Sequence, residues 1–186
     1  MLSFIHIPKT AGTSIRTWLD QHNIVGMDPT VDDHKYGRDL PIKENEISFS
    51  VVRNPWDRLV SWYDFEINLN QHPLSNLFRE RGFSYWLHNY VTLWGPPEYF
   101  THLTPQVEWL LSDTLVLKFE NLKSHFRVIQ NMTKVYDPLP PNINATFGYT
   151  RNKHYSHYYN EDDVEFVRHH FQQDIERFGY SFQKMD

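Results

Sequence analysis

Twice in this chain a short apolar segment runs directly into a tight turn and then into a helix, and this repeated order limits the possible folds more than any other feature. The first segment, residues 2–7, ends at Pro8, and Ile15, Trp18 and Leu19 follow at helical spacing after a turn of small residues. A helix after each strand returns the chain across the sheet, so consecutive strands lie parallel. The order therefore predicts an α/β fold with a mostly parallel sheet.

The second segment, residues 47–52, is rich in β-branched and aromatic residues and is predicted to be a strand. Asn54 is a favoured helix cap and Pro55 a favoured first helical residue, so a helix is predicted to begin at Pro55. A third strand is predicted over residues 114–119, with a helix over residues 121–132 after it. A strand followed by a helix thus occurs a third time.

The rest of the chain is predicted to be mainly helical. Apolar residues recur at helical spacing over residues 83–91, and a short helix is predicted near residues 106–111. Asn160 is predicted to cap a last helix, whose apolar face extends to Phe178. We therefore expect one domain, residues 1–186, in which helices cover both faces of the sheet.

Composition excludes several classes of protein. The 186 residues include 18 Lys and Arg against 23 Asp and Glu, a formal net charge of −5, so broad electrostatic binding to nucleic acid or to an anionic membrane is not expected. The chain has no cysteine, which excludes disulfides, thiolate zinc sites and cysteine nucleophiles. No apolar run approaches the roughly 20 residues that span a bilayer, and no signal peptide is visible. We expect a cytoplasmic protein with no membrane or nucleic-acid partner.

The turn after the first strand contains the first group of residues suited to chemistry. It reads HIPKTAGTS, residues 6–14, and opens the predicted helix. Small residues let backbone N–H groups converge on an anion, the helix N-terminus adds partial positive charge, and Lys9 adds a full charge. Thr13 and Ser14 offer hydroxyl donors. The order differs from the P-loop of nucleotide hydrolases because Lys9 precedes Gly12. A helix cap with an incidental lysine is the alternative interpretation.

A second group follows the second strand. In SVVRNPWDRLVSWY, residues 50–63, Arg53 ends the strand and Ser61 lies two turns into the helix that follows. A guanidinium and a hydroxyl suit a second phosphate, distinct from the one held by the first turn. The alternative is that Arg53 is a surface charge and that Ser61 has no specific role.

Together, PKTAGTS and RNPWDRLVSWY resemble the two cofactor signatures of sulfotransferases that use 3′-phosphoadenosine-5′-phosphosulfate (PAPS). The resemblance implies a P-loop-like α/β fold and a metal-independent transferase that moves the sulfo group of PAPS to an acceptor hydroxyl. It implies that Arg53 and Ser61 bind the 3′-phosphate and that Lys9 also acts in catalysis by stabilising the departing phosphate. The residues that it implies for the 5′-phosphosulfate are Lys9, Thr10, Ala11, Gly12, Thr13 and Ser14.

Later segments extend the resemblance over nearly the whole chain. LTPQVEWL, VLKFENL and the ending YYNEDDVEFVRHHFQQDIERFGYSF resemble landmarks of the glycan-modifying branch of the family. Members of that branch mostly have an N-terminal Golgi anchor, whereas this sequence starts at its first strand, so we expect a soluble form. The expected acceptor is a carbohydrate, with tyrosine or a small alcohol as alternatives. Trp94, Tyr99 and Trp109 are candidates for stacking on sugar rings.

Three further residues are candidates for the site. His34, in DDHKYGRDL, resembles a recurrent histidine of the glycan branch and is predicted to be the general base that accepts the proton of the attacking hydroxyl. Glu66, one turn beyond Ser61, is the alternative base. Lys153, in TRNKHYSHYY, is predicted to be a further phosphate contact, since such enzymes bring a segment over the nucleotide at this place.

Two other functions stay open at the level of sequence. One is a divergent nucleotide kinase or hydrolase, in which Glu120, after the third strand, is the metal-binding acid; the missing G-K-[ST] order counts against it. The other is a glycan-binding module without turnover, and the intact cofactor signatures count against it. No metal site is expected, because adjacent helical histidines such as His169 and His170 point in different directions.

Overall fold

The computed structural model describes residues 2–24, 37–40, 42, 45–69, 73–94, 103–140, 151 and 153–185, with residues 38, 69 and 91–94 described by their backbone alone. The strands and α-helices are, in chain order, β1 (Leu2–Ile5), α1 (Gly12–Gln21), β2 (Ile47–Val52), α2 (Pro55–Leu69), α3 (Ser75–Trp94), β3 (Leu115–Lys118), α4 (Leu122–His125), α5 (Arg127–Thr133), α6 (Glu161–His170) and α7 (Gln172–Phe178). Short 3₁₀ helices cover Gly37–Asp39, Gln106–Trp109, Phe119–Asn121 and Tyr155–Tyr158.

Contacts within the chain are concentrated in two compact units. The first unit consists of Met1–Arg53 and Gln106–Tyr149, and it contains the three strands, α1, α4 and α5. The second unit consists of Asn54–Pro105 and Thr150–Asp186, and it contains α2, α3, α6 and α7. Each unit has its own buried apolar cluster. The single domain expected from the sequence stays a prediction.

The strands of the described residues form one sheet in the first unit. Their order is β1, β2, β3, and both pairs are parallel, with Phe4 opposite Phe49 and Phe49 opposite Leu115. β2 has the predicted bounds. β1 ends at Ile5 instead of residue 7, and β3 is one residue shorter at each end than predicted. The α/β class and the parallel sheet are confirmed for the described part of the chain.

One face of the sheet packs against α1 and α5. Phe4 and Phe49 lie on this face with their ring centroids 5.0 Å apart. Trp18 of α1 meets Phe126, between α4 and α5, edge to face at 4.9 Å. All four side chains are almost completely buried. Because burying one such side chain contributes roughly 1.5–3 kcal/mol, this cluster holds α1, and the turn that precedes it, on the sheet.

The opposite face of the sheet is covered in a different way. Ile5 points to this face, since side chains alternate along a strand. Gly37 lies close to Ile5. A Cβ atom on this glycine would be 2.8 Å from Ile5 Cδ1 and 2.8 Å from the backbone oxygen of Trp109. The helix predicted near residues 106–111 is a 3₁₀ helix, Gln106–Trp109. The prediction of covering helices is thus confirmed on the first face, and on this face the 3₁₀ helix that begins at Gly37 lies close to Ile5.

In the second unit, α2 begins as predicted. The side-chain oxygen of Asn54 accepts hydrogen bonds from the backbone N–H groups of Trp56 and Asp57, at 3.1 and 3.5 Å, and Pro55 is the first helical residue. Helix α3 packs against α2. Gly82, with a φ of 86°, interrupts α3. Aromatic and aliphatic side chains of both helices form the core of this unit.

The last predicted helix is divided into α6 and α7. Asn160 caps α6, because its side chain accepts a hydrogen bond from the Asp163 N–H at 2.8 Å and its own N–H donates to the Asp163 carboxylate at 3.2 Å. Phe171, between the two helices, has non-helical backbone angles. Its ring is 1% exposed and belongs to the core of the second unit, which accounts for the break.

Candidate anion-binding site

The turn between β1 and α1 has a strained backbone. Lys9 and Ala11 have φ values of 68° and 69°, in the left-handed region. This region costs a residue with a side chain about 1–2 kcal/mol relative to the right-handed region. Strain of this kind concentrates at ligand sites, where the surrounding structure maintains it.

Two hydrogen bonds maintain the conformation of the turn. Thr10, which is 0% exposed, donates from Oγ1 to the carbonyl oxygen of Ile7 at 2.7 Å. Arg53 donates from Nη1 to the carbonyl oxygen of Lys9 at 3.0 Å. The hydroxyl of Thr10 is therefore used to stabilise the turn. The group of Thr10 that would contact an anion is its backbone N–H.

Arg53 is held on several sides at the end of β2. Its guanidinium carbon lies 4.1 Å from the centre of the Phe119 ring. Its backbone N–H donates to Gln106 Oε1, and its carbonyl oxygen accepts from Gln106 Nε2, both at 2.8 Å. Arg53 is thus a buried group beside the turn, which excludes the alternative that it is a surface charge. Sequence reasoning missed the role of Gln106, although it lies in the quoted segment LTPQVEWL.

Ser14 has a buried hydroxyl that lacks a hydrogen-bond partner in the described part of the chain. Gly12, Thr13 and Ser14 are the first three residues of α1, and Ser14 is 3% exposed. Its Oγ makes no hydrogen bond to any residue that the structure describes. An unsatisfied buried hydroxyl costs about 1–3 kcal/mol and requires an explanation in a native structure. Ala11, the residue before α1, provides no side-chain cap, and the N–H groups in the first turn of a helix point out along its axis. These donors together suit an anion.

An apolar cavity of about 550 Å³ adjoins this turn. Ala11 and Ser14 form its wall at the start of α1. The other walls are mainly apolar and include Phe119, Leu122, Phe126, Tyr136 and Leu139. Concave, mainly apolar recesses with a few polar groups are typical of small-molecule sites. Sequence reasoning missed the cavity, because apolar residues that line a cavity have the same spacing as apolar residues of a core.

One wall of the cavity is a strap, residues 134–140, that is tied to two helices. The carbonyl oxygen of Asp137 accepts hydrogen bonds from Trp18 Nε1 at 2.9 Å and from Gln130 Nε2 at 2.8 Å. Trp18 belongs to α1 and Gln130 to α5. Tyr136 of the strap lines the cavity and is 64% exposed. The strap thus presents a solvent-exposed aromatic ring at an apolar recess.

Ser61 and Lys153 lie in the second unit. Ser61 is half-buried on α2. Lys153 is exposed, and its ammonium nitrogen lies 4.1 Å from the centre of the Tyr158 ring, a cation–π contact. The Tyr158 hydroxyl donates to the Asp64 carboxylate at 3.1 Å. The phosphate contacts assigned to Ser61 and Lys153 stay predictions.

The alternative base, Glu66, is unsuited to that role. It is 5% exposed, its Oε1 accepts a hydrogen bond from the Tyr90 hydroxyl at 2.5 Å, and its Oε2 accepts one from Trp86 Nε1 at 3.0 Å. A general base must come within hydrogen-bond reach of the substrate. Glu66 instead joins α2 to α3, and its assignment as a base is wrong. A lone carboxylate in a helix is usually exposed, and sequence gives no sign of such burial.

The remaining candidates differ in where they lie. His34 and Tyr99 lie outside the described residues, and the side chain of Trp94 is not described. Trp109 is 0% exposed, so the prediction that it stacks on a sugar ring is wrong and it is a core residue. Glu120, the acid of the kinase alternative, is exposed in the 3₁₀ helix after β3.

Within the described ranges, no group of three or more His, Asp or Glu side chains is arranged to hold a metal ion. None of the helices in that part of the chain is long and apolar enough to cross a membrane. No protein-family model matches this sequence, and neither a curated protein nor a solved structure matches it. The geometry of the site is therefore the basis for assigning a function.

Proposed function

We propose that this protein is a sulfotransferase that moves the sulfo group of PAPS to a hydroxyl group of a carbohydrate. The observation that carries the proposal is the buried hydroxyl of Ser14, which has no hydrogen-bond partner among the described residues and lies at the start of α1 and in the wall of an apolar cavity. An anion that is attached to a planar group suits both parts of this site. PAPS is such a molecule, and the resemblance of the two sequence motifs points to the same ligand.

The turn supplies the groups that would hold the 5′-phosphosulfate. The Ser14 hydroxyl and the backbone N–H groups of Gly12 and Thr13 donate hydrogen bonds, and Lys9 supplies a full positive charge. Fixed donors in a partly buried site need little reorganisation when charge develops. The strained turn is thus arranged before the ligand arrives.

The cavity suits the adenine ring. Phe119 and Tyr136 offer aromatic surfaces in its walls, and the guanidinium of Arg53 covers one face of Phe119. Arg53 also supplies the second positive charge, for the 3′-phosphate. The contributions of Ser61 and Lys153, in the second unit, stay predictions from the resemblance.

PAPS supplies the sulfo group: the acceptor oxygen bonds to sulfur, the bond from sulfur to the phosphate oxygen breaks, and its electron pair stays on the phosphate. Lys9 stabilises the negative charge that grows on that oxygen. His34 takes the proton of the acceptor hydroxyl in this proposal, an assignment that comes from the sequence. The positively charged side chains of Lys9 and Arg53 balance the negative charge of the phosphates.

Calorimetry without added metal tests the proposal. The wild type is titrated with 3′-phosphoadenosine-5′-phosphate (PAP), the spent donor, and separately with ATP and ADP. We expect PAP to bind most tightly, because only PAP has a 3′-phosphate. Ser14→Ala should weaken PAP binding by about tenfold or more, the value of a hydrogen bond to a charged group. Thr17→Ala, one turn further along α1, is the matched control and should bind PAP as the wild type does.

Two outcomes would overturn the proposal. A preference for ATP that requires magnesium would favour a nucleotide kinase or hydrolase. Binding of none of the three nucleotides would favour the glycan-binding module. If PAP binds as expected, a screen of mono- and oligosaccharides with labelled PAPS identifies the acceptor.

A further inference from the structure

The side chain of His6 occupies the space in which any side chain at position 12 would begin. A Cβ atom on Gly12 would lie 1.8 Å from His6 Nε2 and 1.9 Å from its Cδ2, far inside any allowed contact. His6 is the residue that follows β1, and Gly12 is the first residue of α1. The edge of the imidazole ring therefore lies directly against the start of the helix.

Gly12 provides space for this contact rather than backbone freedom. The residues of the turn in the left-handed region are Lys9 and Ala11, both of which have side chains, and Gly12 is not among them. Glycine is the residue that enters this region without steric cost. Its use at position 12, where φ does not require it, indicates that the His6 ring is the reason for the glycine.

The His6 ring is held in place from the sheet. It stacks on Phe4, with ring centroids 5.7 Å apart and an interplanar angle of 20°, and Phe4 contacts Phe49 of the neighbouring strand. His6 is 8% exposed and Phe4 is 1% exposed. A ring backed by a close-packed core has little room to move aside. Its position therefore constrains the residue that it touches.

We propose that His6 is a positioning residue of the anion site and that it acts through Gly12. The ring is a fixed surface against the first residue of α1, so it sets how far the Ser14 hydroxyl and the first N–H groups reach toward an anion. Lys9 supplies charge, whereas His6 supplies position, and small displacements of positioning groups have large effects on ligand sites. The proposed function enters this inference at one point only, where it identifies the anion as a phosphosulfate.

A double-mutant cycle of His6→Ala and Gly12→Ala tests this role. Calorimetry measures the affinities for PAP and for inorganic pyrophosphate. Gly12→Ala alone should weaken both ligands about tenfold or more, because the new methyl group must displace the ring or the helix start. His6→Ala should also weaken both ligands. In the His6→Ala background, Gly12→Ala should have little further effect, because the methyl group then has room.

Additive effects of the two substitutions would overturn the proposal, and so would wild-type affinity in His6→Ala. The control cycle of His6→Ala with Thr17→Ala should be additive. If Gly12→Ala alone does not fold, the comparison of His6→Ala with the double variant decides the matter. A loss of tenfold or so between those two variants would contradict the steric pairing, and a small loss would support it.

Two conservative variants separate positioning from general stabilisation. His6→Phe keeps a flat ring, whereas His6→Asn keeps polarity without the ring, so His6→Phe should retain more PAP affinity than His6→Asn. Urea unfolding of each variant gives its stability. Variants that lose stability but keep wild-type affinity at a temperature where they are folded would show a merely structural role and overturn the proposal.

The same measurements distinguish failure of this inference from failure of the proposed function. A wild type that binds pyrophosphate but does not prefer PAP to ATP would overturn the proposed sulfotransferase function. The double-mutant cycle would still test the role of His6, because pyrophosphate affinity can be measured for each variant. A wild type that prefers PAP but shows no coupling between positions 6 and 12 would overturn only the role of His6. Absence of binding to either ligand would overturn both.

Discussion

At the scale of single residues, the turn between β1 and α1 and the start of α1 contain several features that lower the free energy of unfolding. Lys9 and Ala11 have left-handed backbone angles, and Ser14 has a buried hydroxyl that no residue in the described ranges satisfies. Together these features cost roughly 3–7 kcal/mol, which is a large part of the roughly 5–15 kcal/mol that stabilises a typical domain. Residues that lower stability persist where function uses them, so these costs themselves indicate a binding site.

Ser14→Ala should therefore stabilise the protein while it weakens PAP binding. Without the hydroxyl, the desolvation cost of a buried polar group disappears, so the free energy of unfolding in the absence of ligand should rise by about 1 kcal/mol. Urea unfolding measures the change, with Thr17→Ala as the control that leaves stability nearly unchanged. A less stable Ser14→Ala would contradict the assignment of this hydroxyl to a ligand.

Two substitutions of Lys9 separate its charge from its backbone conformation. Lys9→Ala and Lys9→Gly both remove the ammonium group, so the turnover of PAPS should fall about a hundredfold in each. Because glycine tolerates a φ of 68°, Lys9→Gly should be more stable than Lys9→Ala by about 1 kcal/mol. Steady-state kinetics and urea unfolding measure the two effects. Normal turnover would disprove the catalytic role, and equal stabilities would disprove the strain.

At the scale of elements, one tryptophan links the core of the first unit to the cavity. Trp18 packs against Phe126 in the apolar cluster and donates a hydrogen bond to the Asp137 carbonyl oxygen of the strap. The same carbonyl oxygen accepts the bond from Gln130. The strap therefore depends on both α1 and α5, and the shape of the cavity depends on how these helices hold it.

Gln130→Ala should loosen the strap without altering the turn. Loss of one of the two bonds to the Asp137 carbonyl oxygen should weaken PAP binding by about threefold to tenfold, the value of one neutral hydrogen bond. Pyrophosphate, which has no planar group, should bind as it does to the wild type. Asn131→Ala, at the next and exposed position of α5, is the control. An equal loss for both ligands would show that the substitution acts on the turn.

At the scale of the whole molecule, buried tyrosine hydroxyls make stability depend on pH. Burial, and then the nearby Glu66 carboxylate, raises the pKa of Tyr90 above its usual 10.0. Burial, and then the carboxylates of Asp163 and Asp57, raises the pKa of Tyr159. Both groups therefore keep their protons in the folded protein at a pH where the unfolded chain releases them.

The free energy of unfolding should fall as the pH rises above about 10. Below that pH both states hold the tyrosine protons, so the contribution is fully present; above it the unfolded chain binds fewer protons, and the slope of stability against pH becomes negative. Urea unfolding at a series of pH values measures the slope. Tyr159→Phe should be less stable at neutral pH by about 1 kcal/mol, because the Trp56 carbonyl oxygen loses its donor. Above pH 10, the free energy of unfolding of Tyr159→Phe should fall less steeply with pH than that of the wild type.

A Tyr159→Phe curve that runs parallel to the wild type above pH 10 would show that the Tyr159 proton is not a source of the alkaline decline.

Features that depend on neighbouring residues are the ones that sequence predicts well. Asn54 and Asn160 cap α2 and α6 as predicted, because a cap needs only a side-chain oxygen and the next few N–H groups. The break at Phe171 is not predicted, since the helical period continues through it. Its ring is buried among residues distant in sequence, and the helix is interrupted where that packing requires it.

By itself, the sequence determined that a turn of small residues with Lys9 follows a strand and opens a helix, because the order of residues decides which donors adjoin a helix N-terminus. Only the tertiary structure decided that Arg53 contacts this turn, that the buried Ser14 hydroxyl has no partner within the structure as far as it is described, and that residues 119–140 supply walls of a cavity beside the turn. Arg53 and Lys9 are 44 positions apart. Packing of apolar faces brings such residues together, and that packing depends on the whole chain rather than on any local pattern.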